Sequence, residues 1–287
     1  MSAEKLAYNW NFDDQAAGPS INPMENATAA NAAMQQVLVN STGPAPAPPL
    51  PSGSQVPLPV GIEINGTLMR DAEIRELTGA DEEKLSKVSR SSVRFFDTLL
   101  KLGVVSLGNE PVTPALLKGL YVADRDALML AIRIATFGPQ LELVGVSCPT
   151  CRELVDFTVD LSTVELRGLP AGETRVELRD GRWAYLRFPT GEDQEHILAA
   201  VDATSAETNT ALLERCVTYI ESPAAGIRVP GSADVARRLG IADRRTILMY
   251  LADHAPGPQL MSLSTEHEAC GEEVPLPLTV ADIFLDL

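Results

Sequence analysis

Four side chains in this sequence have the types and the spacing of a metal site. Cys148 and Cys151 are separated by two residues, and so are His267 and Cys270. A structural zinc takes four nitrogen or sulfur ligands in a tetrahedron, commonly from two turns that each offer a close pair. That spacing lets two side chains of one turn point at one ion while backbone N–H groups face the sulfurs. The sequence therefore predicts one structural zinc per chain, held by Cys148, Cys151, His267 and Cys270. Four protein ligands leave no position for water, so the chemistry would be structural and not catalytic. The competing reading is a set of buried thiols without a metal.

The long interval between the two pairs is accounted for by a repeat. Residues 122–166 align without a gap on 241–285, at a constant offset of 119. Ala123-Asp124-Arg125 falls on Ala242-Asp243-Arg244, and Gly138-Pro139-Gln140-Leu141 falls on Gly257-Pro258-Gln259-Leu260. Cys148 and Cys151 fall on His267 and Cys270, and Glu153 and Val155 on Glu272 and Val274. The one changed ligand is a Cys matched by a His, and His also binds zinc. Two copies of this length are too few and too long for a solenoid. They read as a fused pseudo-dimer in which like surfaces meet, as in an isologous dimer, and each copy supplies half of one site.

The elements that must position the site follow from periodicity. Residues 59–64, Asn65-Gly66 and 67–77 read as a β-hairpin, and Asn-Gly is the strongest two-residue hairpin signal. Residues 175–179, Asp180-Gly181 and 182–188 read as the equivalent hairpin. Helical spacing follows each hairpin, at 81–88 and 91–102 in the first half and at 192–201 and 206–220 in the second. A further pair is expected at 114–120 and 124–136, matched by 233–239 and 243–254. A strand, the ligand pair and another strand complete each copy. The Ala-Asp-Arg steps open helices: Asp124 and Asp243 suit a helix N-cap or first turn, Arg125 and Arg244 could pair with an acid of the other half, and structural roles are expected for both steps. The expected fold is α+β, an internally duplicated pseudo-twofold of β-hairpin plus helices joined by a zinc-ribbon-like site. Its organisation is a tail at 1–56, a first repeat at 57–167 and a second at 174–287, with residues 168–173 as the link.

Residues 1–56 pass from an Asn- and Ala-rich stretch to a Pro-rich run at 44–51, a composition that predicts a disordered tail. Residues 24–39 favour one weak helix. Tyr8, Trp10 and Phe12 alternate just ahead of Asp13 and Asp14. Large aromatics are unusual in segments that stay solvated, so this triplet is a candidate partner-docking strand.

Other chemistry is missing from the sequence. There is no phosphate loop, nucleophile elbow or HExxH helix. His196 follows Glu195 at an acidic helix start and reads as solvated, and Asp81-Glu82-Glu83 is an ordinary helix first turn. Cys216, in a helical pattern with Leu212, Leu213, Tyr219 and Ile220, reads as a small buried apolar residue. The net charge of −16 disfavours nucleic acid and anionic membranes and favours basic or apolar partners. Residues 1–10 lack the basic start and apolar run of a secretory signal, and no apolar stretch is long enough for a membrane span. A cytoplasmic location, or one in an assembled particle, is expected.

The string RDAEIRELTGADEE from Arg70, the helix ADRDALMLAIRIATFG from Ala123 and the CPTC turn at Cys148 together resemble a known family. They are similar to the baseplate hub assembly chaperones of T-even-type contractile-tailed phages and related bacterial contractile injection systems. Those proteins place an R-E-[LI]-[TN]-G-x-[DE]-E step early and a D-R-x-x-[LM]-[LM]-x-x-R-x-x-T-[FY]-G helix ahead of a C-P-x-C turn. The likeness covers about 60–165 well, the second half more weakly and the first 56 residues not at all. It departs at His267, where a second CxxC would be the tidier pattern. The resemblance implies a non-enzymatic role in assembling the hub and baseplate, with tail proteins as partners. The alternative within the same system is a permanent structural baseplate or tail subunit, and an enzyme that uses the metal site as a scaffold is a third class.

Overall fold

Asn65 and Gly66 both take positive φ, 52° and 79°, the type I′ geometry that matches the twist of a two-residue hairpin. They join β1 (Ser54–Ile64) to β2 (Thr67–Ile74), with Ile64 opposite Thr67. In this computed structural model residues 53–89, 93–199 and 203–284 are described, and all belong to the unit 51–287. The register of the hairpin shifts between Pro57 and Ile62, and Gly61 sits in that bulge at φ +89°. A Cβ there would lie 2.5 Å from the Met69 carbonyl oxygen, so only glycine fits.

Helices α1 (Gly79–Leu85) and α2 (Val93–Gly103) follow, then β3 (Val104–Leu107) and β4 (Glu110–Pro111). The four strands form one antiparallel sheet in the order β1-β2-β3-β4. Next come α3 (Pro114–Gly119), α4 (Val122–Phe137), the ribbon β5 (Gln140–Ser147) with β6 (Leu154–Asp160), and short β7 (Leu166–Arg167). The second half runs through β8 (Arg175–Glu177), β9 (Trp183–Leu186), α5 (Gly191–Leu198), α6 (Ser205–Cys216), β10 (Val217–Ser222) and β11 (Ile227–Pro230). Its sheet is ordered β8-β9-β10-β11. Then follow α7 (Ala233–Arg238), α8 (Ile241–Asp253), β12 (Gly257–Pro258) and the ribbon β13 (Ser264–His267) with β14 (Glu272–Pro275). The fold is α+β, and after β4 and after β11 alike two helices lead to a two-stranded ribbon, with short β7 following the first ribbon and short β12 preceding the second.

Three expectations about local structure are corrected. Ser54, Gln55 and Val56, placed in the tail at 1–56 by composition, pair with Ile74, Glu73 and Ala72 in β1. The helical pattern at 206–220 stops at Cys216, and Tyr219 and Ile220 lie in β10. Val217, Thr218, Tyr219 and Ile220 are β-branched or aromatic and fit a pleated sheet better than a helix. The turns of the two hairpins also differ. At the second, only Gly181 has positive φ, and Gly181 N–H donates to the Leu178 carbonyl at 2.9 Å, which makes a three-residue loop.

Both α1 and α5 begin at the same device. Arg75, Thr78 and Asp81 recur at the same spacing as Arg187, Thr190 and Asp193. In each, the Thr N–H and hydroxyl donate to the Asp carboxylate, a capping box, while the Arg guanidinium pairs with the same Asp. Burial alone would raise the Asp81 carboxyl, but the Arg75 and Thr78 donors hold it well below the usual carboxylate range.

The Asp-Arg steps take structural roles in both halves, as the sequence predicts, but the arginines find different partners. Asp124 and Asp243 stand in the first turns of α4 and α8. Their carboxylates accept from N–H groups 63 or 64 residues earlier, Val60 at 2.8 Å and Gly61 at 3.1 Å for Asp124, and Arg179 at 3.0 Å for Asp243. Arg125 pairs with Asp97 of its own half and donates to the Leu117 carbonyl at 3.0 Å. Arg244 donates to the Ala236 carbonyl at 2.9 Å and the Thr210 hydroxyl at 2.9 Å, with no acid. Neither arginine reaches an acid across the halves.

Two apolar cores result. One lies under the first sheet and takes in both ribbons, including Phe157, Val274, Ile283 and Phe284. The other lies under the second sheet and includes Leu186, Leu213, Cys216 and Ile247. Cys216 is fully buried, as expected, and burial pushes its thiol up to about 12. His196 is exposed. Among the described residues no helix is long and apolar enough to cross a membrane.

Asp126 of α4 lines a 250 Å³ cavity with Val122, Phe188, Leu212, Leu248 and Leu251. Burial there pushes its carboxyl up to about 7, with Arg125 opposing. A folded-state pKa above the unfolded one adds stability that is complete below about pH 4 and is lost as pH rises through about 7. Asp126→Asn is therefore expected to leave the thermal midpoint nearly unchanged at pH 4 and to raise stability at pH 8 by on the order of 2–4 kcal/mol. Thermal melts at the two pH values check this, and an equal effect at both would contradict it.

Candidate metal centre

The two ribbons bring their tips together. β5 and β6 pair from Gln140 with Asp160 to Ser147 with Leu154, so the 148–153 turn closes one ribbon. β13 and β14 pair from Ser264 with Pro275 to His267 with Glu272, which closes the other at the offset-119 position. The turns share a backbone shape. Arg152 N–H donates to the Cys148 carbonyl at 3.0 Å, and Gly271 N–H donates to the His267 carbonyl at 2.7 Å. Arg152 and Gly271 both take positive φ, 66° and 67°. A chain reversal of this kind turns two side chains separated by two residues to the same side.

The ligand atoms of Cys148, Cys151, His267 and Cys270 all lie within 4.8 Å of one another. The Cys148 and Cys270 sulfurs are 3.8 Å apart. His267 Nδ1 is 3.5 Å from the Cys151 sulfur and 3.2 Å from the Cys270 sulfur. Two sulfurs each about 2.3 Å from a tetrahedral centre are separated by about 3.8 Å, and a sulfur–nitrogen edge is slightly shorter. The donor set and its edges therefore fit a four-coordinate metal ion, and all four sequence-predicted ligands are brought into one cluster.

Electrostatics favours thiolates at one corner. The N–H groups of Cys151 and Thr150 face the Cys148 sulfur and, against desolvation and with help from His267, bring that thiol down to about 6. The Glu272 N–H favours the Cys270 thiolate, but desolvation and the Cys148 and Cys151 sulfurs raise it above its ordinary value. A cation among the three sulfurs removes that mutual repulsion. Cys148 and His267 are buried, whereas Cys151 and Cys270 are exposed, so the cluster sits at the surface edge of the first core.

The sequence reading missed one member of the site. Glu153 Oε2 lies 3.7 Å from His267 Nε2, the nitrogen that points away from the cluster. A carboxylate there favours the proton on Nε2 and leaves Nδ1 free to ligate. The available signal was the match of Glu153 to Glu272 at offset 119. Tyr8, Trp10 and Phe12 lie outside the described residues.

A scan of sequence families matches residues 66–229 to the family described as T4 bacteriophage base plate protein. The match covers more than half of the chain and extends from the first hairpin turn into β11, further into the second half than the motifs alone indicated. The protein belongs to this family. Cys148 and Cys151 fall inside the matched region, and His267 and Cys270 fall beyond it. No curated protein and no solved structure matches the chain.

One equivalent of metal per chain is expected from elemental analysis of protein purified with reductant and without chelator. Glu153→Gln is expected to weaken metal retention by about 10- to 100-fold in a chelator competition, since loss of a carboxylate behind a ligating His has that scale. Retention equal to the parent would remove Glu153 from the site.

Proposed function

We propose that this protein is a non-enzymatic assembly factor, a chaperone, for the baseplate hub of a contractile tail. The observation that supports this most directly is the baseplate family match, which runs from the first hairpin turn into β11. The metal in this reading is zinc in a zinc-ribbon-like site, held by Cys148, Cys151, His267 and Cys270. Zinc suits three sulfurs and one imidazole in a tetrahedron, and four protein ligands leave no open position for catalysis. We also read the chain as an internal duplication. The offset-119 register, the two Arg-Thr-Asp caps and the two Asp carboxylates that each accept from 64 residues upstream support that reading.

The partners are hub and tail proteins, met in the cytoplasm of the producing cell. A chain of net charge −16 can mask a basic or apolar assembly surface until its proper partner displaces it. Tyr8, Trp10 and Phe12 supply large side chains of the kind that dominate interface energy, with Asp13 and Asp14 suited to a basic rim on the client.

Two measurements test this. Purified particles are expected to lack the chain, and a stoichiometric band would make it a permanent structural subunit instead. Deleting residues 1–52, which stops short of β1, is expected to leave the metal content at one per chain and to weaken recovery of co-expressed tail proteins. Equal recovery of every tail protein with and without those residues would remove the docking role of the aromatic triplet.

A further inference from the structure

We infer that the outward face of α8 is a docking groove for an acidic amphipathic helix of another baseplate protein, an inference that rests on the assembly reading above. Leu239, Ile241, Leu248 and Met249, with Arg237 and Arg245, line an open groove of 730 Å³. Ile241 is 88% exposed and Met249 52% exposed. Two large apolar side chains so exposed on one face of one helix form part of a patch and are not isolated surface residues.

The offset-119 register shows what these positions do when covered. Leu248 and Met249 correspond to Met129 and Leu130 of α4, which are 4% and 5% exposed. Met129 and Leu130 belong to the core that also holds Leu260, Ile283 and Phe284. Arg133, the counterpart of Ala252, donates to the Ile283 carbonyl at 2.7 Å. On α4 the chain's own acid-bearing turn Asp282–Phe284 helps to cover the face. On α8 Ile247 and Leu251 are buried, Leu248 and Tyr250 are half-buried against the second core, and Ile241 and Met249 stay exposed where Met249's counterpart is covered.

Charge identifies the occupant. Asp126 of α4 corresponds to Arg245 of α8, an inversion of sign at the groove wall. Arg237, Arg238, Arg244 and Arg245 fall within nine residues of a chain whose net charge is −16. Asp243 is turned toward the Arg179 N–H at 3.0 Å, and Asp234 stands 3.9 Å from Arg237 in a solvated pair. Glu207 also lines the groove, but its carboxylate is taken up by the Thr204 N–H at 2.8 Å and hydroxyl at 2.7 Å, and no carboxylate of the described residues pairs with Arg245. An apolar floor with an arginine rim fits a helix that carries apolar residues on one face and Asp or Glu beside them. The floor from Ile241 to Ala252 is about 17 Å long at helical rise, the reach of roughly three turns of a partner helix. A second copy is a poor occupant. In an isologous contact the arginines would oppose arginines, and two chains of net charge −16 would repel.

Fluorescence anisotropy with the full, metal-loaded chain tests this. The probe is a fluorescein-labelled 16-residue helical peptide with Leu at helical spacing and Glu on its flanks, and the control carries Lys in place of every Glu. The Glu peptide is expected to bind at least about tenfold tighter than the Lys peptide. Met249→Asp, a change at an exposed position, is expected to weaken the Glu peptide about tenfold, and Arg245→Glu to reverse the preference. Equal binding of the two peptides, or binding unchanged by Met249→Asp, would overturn the inference. So would sedimentation showing a dimer that Met249→Asp dissociates, since the occupant would then be a second copy. None of these outcomes bears on whether the chain is present in purified particles, so the groove and the assembly reading fail separately.

Discussion

The burial of α4 on all sides is the constraint to which the rest of the molecule answers. Nine of its residues are buried, among them Asp124, Arg125 and Arg133. A charge removed from water without partners costs several kcal/mol, so each of these side chains dictates something beyond its helix. Asp124 fixes the β1 bulge, because its carboxylate accepts from Val60 and Gly61. Arg125 fixes α2 and α3 through Asp97 and the Leu117 carbonyl, and it also reaches the second half. A Cβ on Gly191 would lie 2.9 Å from the Arg125 side chain, so α5 approaches α4 this closely only with glycine at its start. Lys118 and Glu195 add an exposed ion pair beside that approach, worth little by itself.

A metal held by Cys148, Cys151, His267 and Cys270 would answer a different need, that of closing long stretches of chain. Cys151 and His267 are 116 residues apart in sequence. By the estimate used for disulfides, tying a loop of that size removes roughly 4–5 kcal/mol of unfolded-state entropy. The ribbons are thin, each of two strands, and ribbons of two strands are marginal without support. Their support comes from the first core, where Phe157 and Val159 lie beside Val274 and Leu276. Metal ligation at the tips would thus restrain, from the opposite end, the same two hairpins that the apolar residues hold at their bases.

Much of this was legible in the sequence where local chemistry decides the outcome. Asn65-Gly66 allows few alternatives to a tight turn, and the eight helices of the described residues fall where helical spacing placed them. The ligand set was legible because the repeat placed two short pairs in one register. Strands β3, β4, β10 and β11 were not legible. Each is short, and Val104 and Val217 directly follow a helix, so helical apolar spacing runs into them without a break. The partners of Asp124 and Arg125 were hidden for another reason. They are backbone groups and a carboxylate brought near by tertiary packing, and no pattern in a single sequence marks them.

The two halves share a register and differ in what covers them. The first core takes both ribbons and the Asp282–Phe284 turn, whereas the second core draws on neither ribbon. Apolar material that would close the face of α8 is therefore already committed elsewhere in the same chain. The residues at that face have changed in the matching direction: Arg133 corresponds to Ala252, and Asp126 to Arg245. The first change removes the side chain that binds the covering turn of α4, and the second places positive charge where a chain of net charge −16 otherwise has little. A helix that keeps Ile241 and Met249 exposed, with a rim of opposite sign to most of the surface, suits a chain unlike its own. That asymmetry lets one register serve as a core in one half and as a receptive surface in the other.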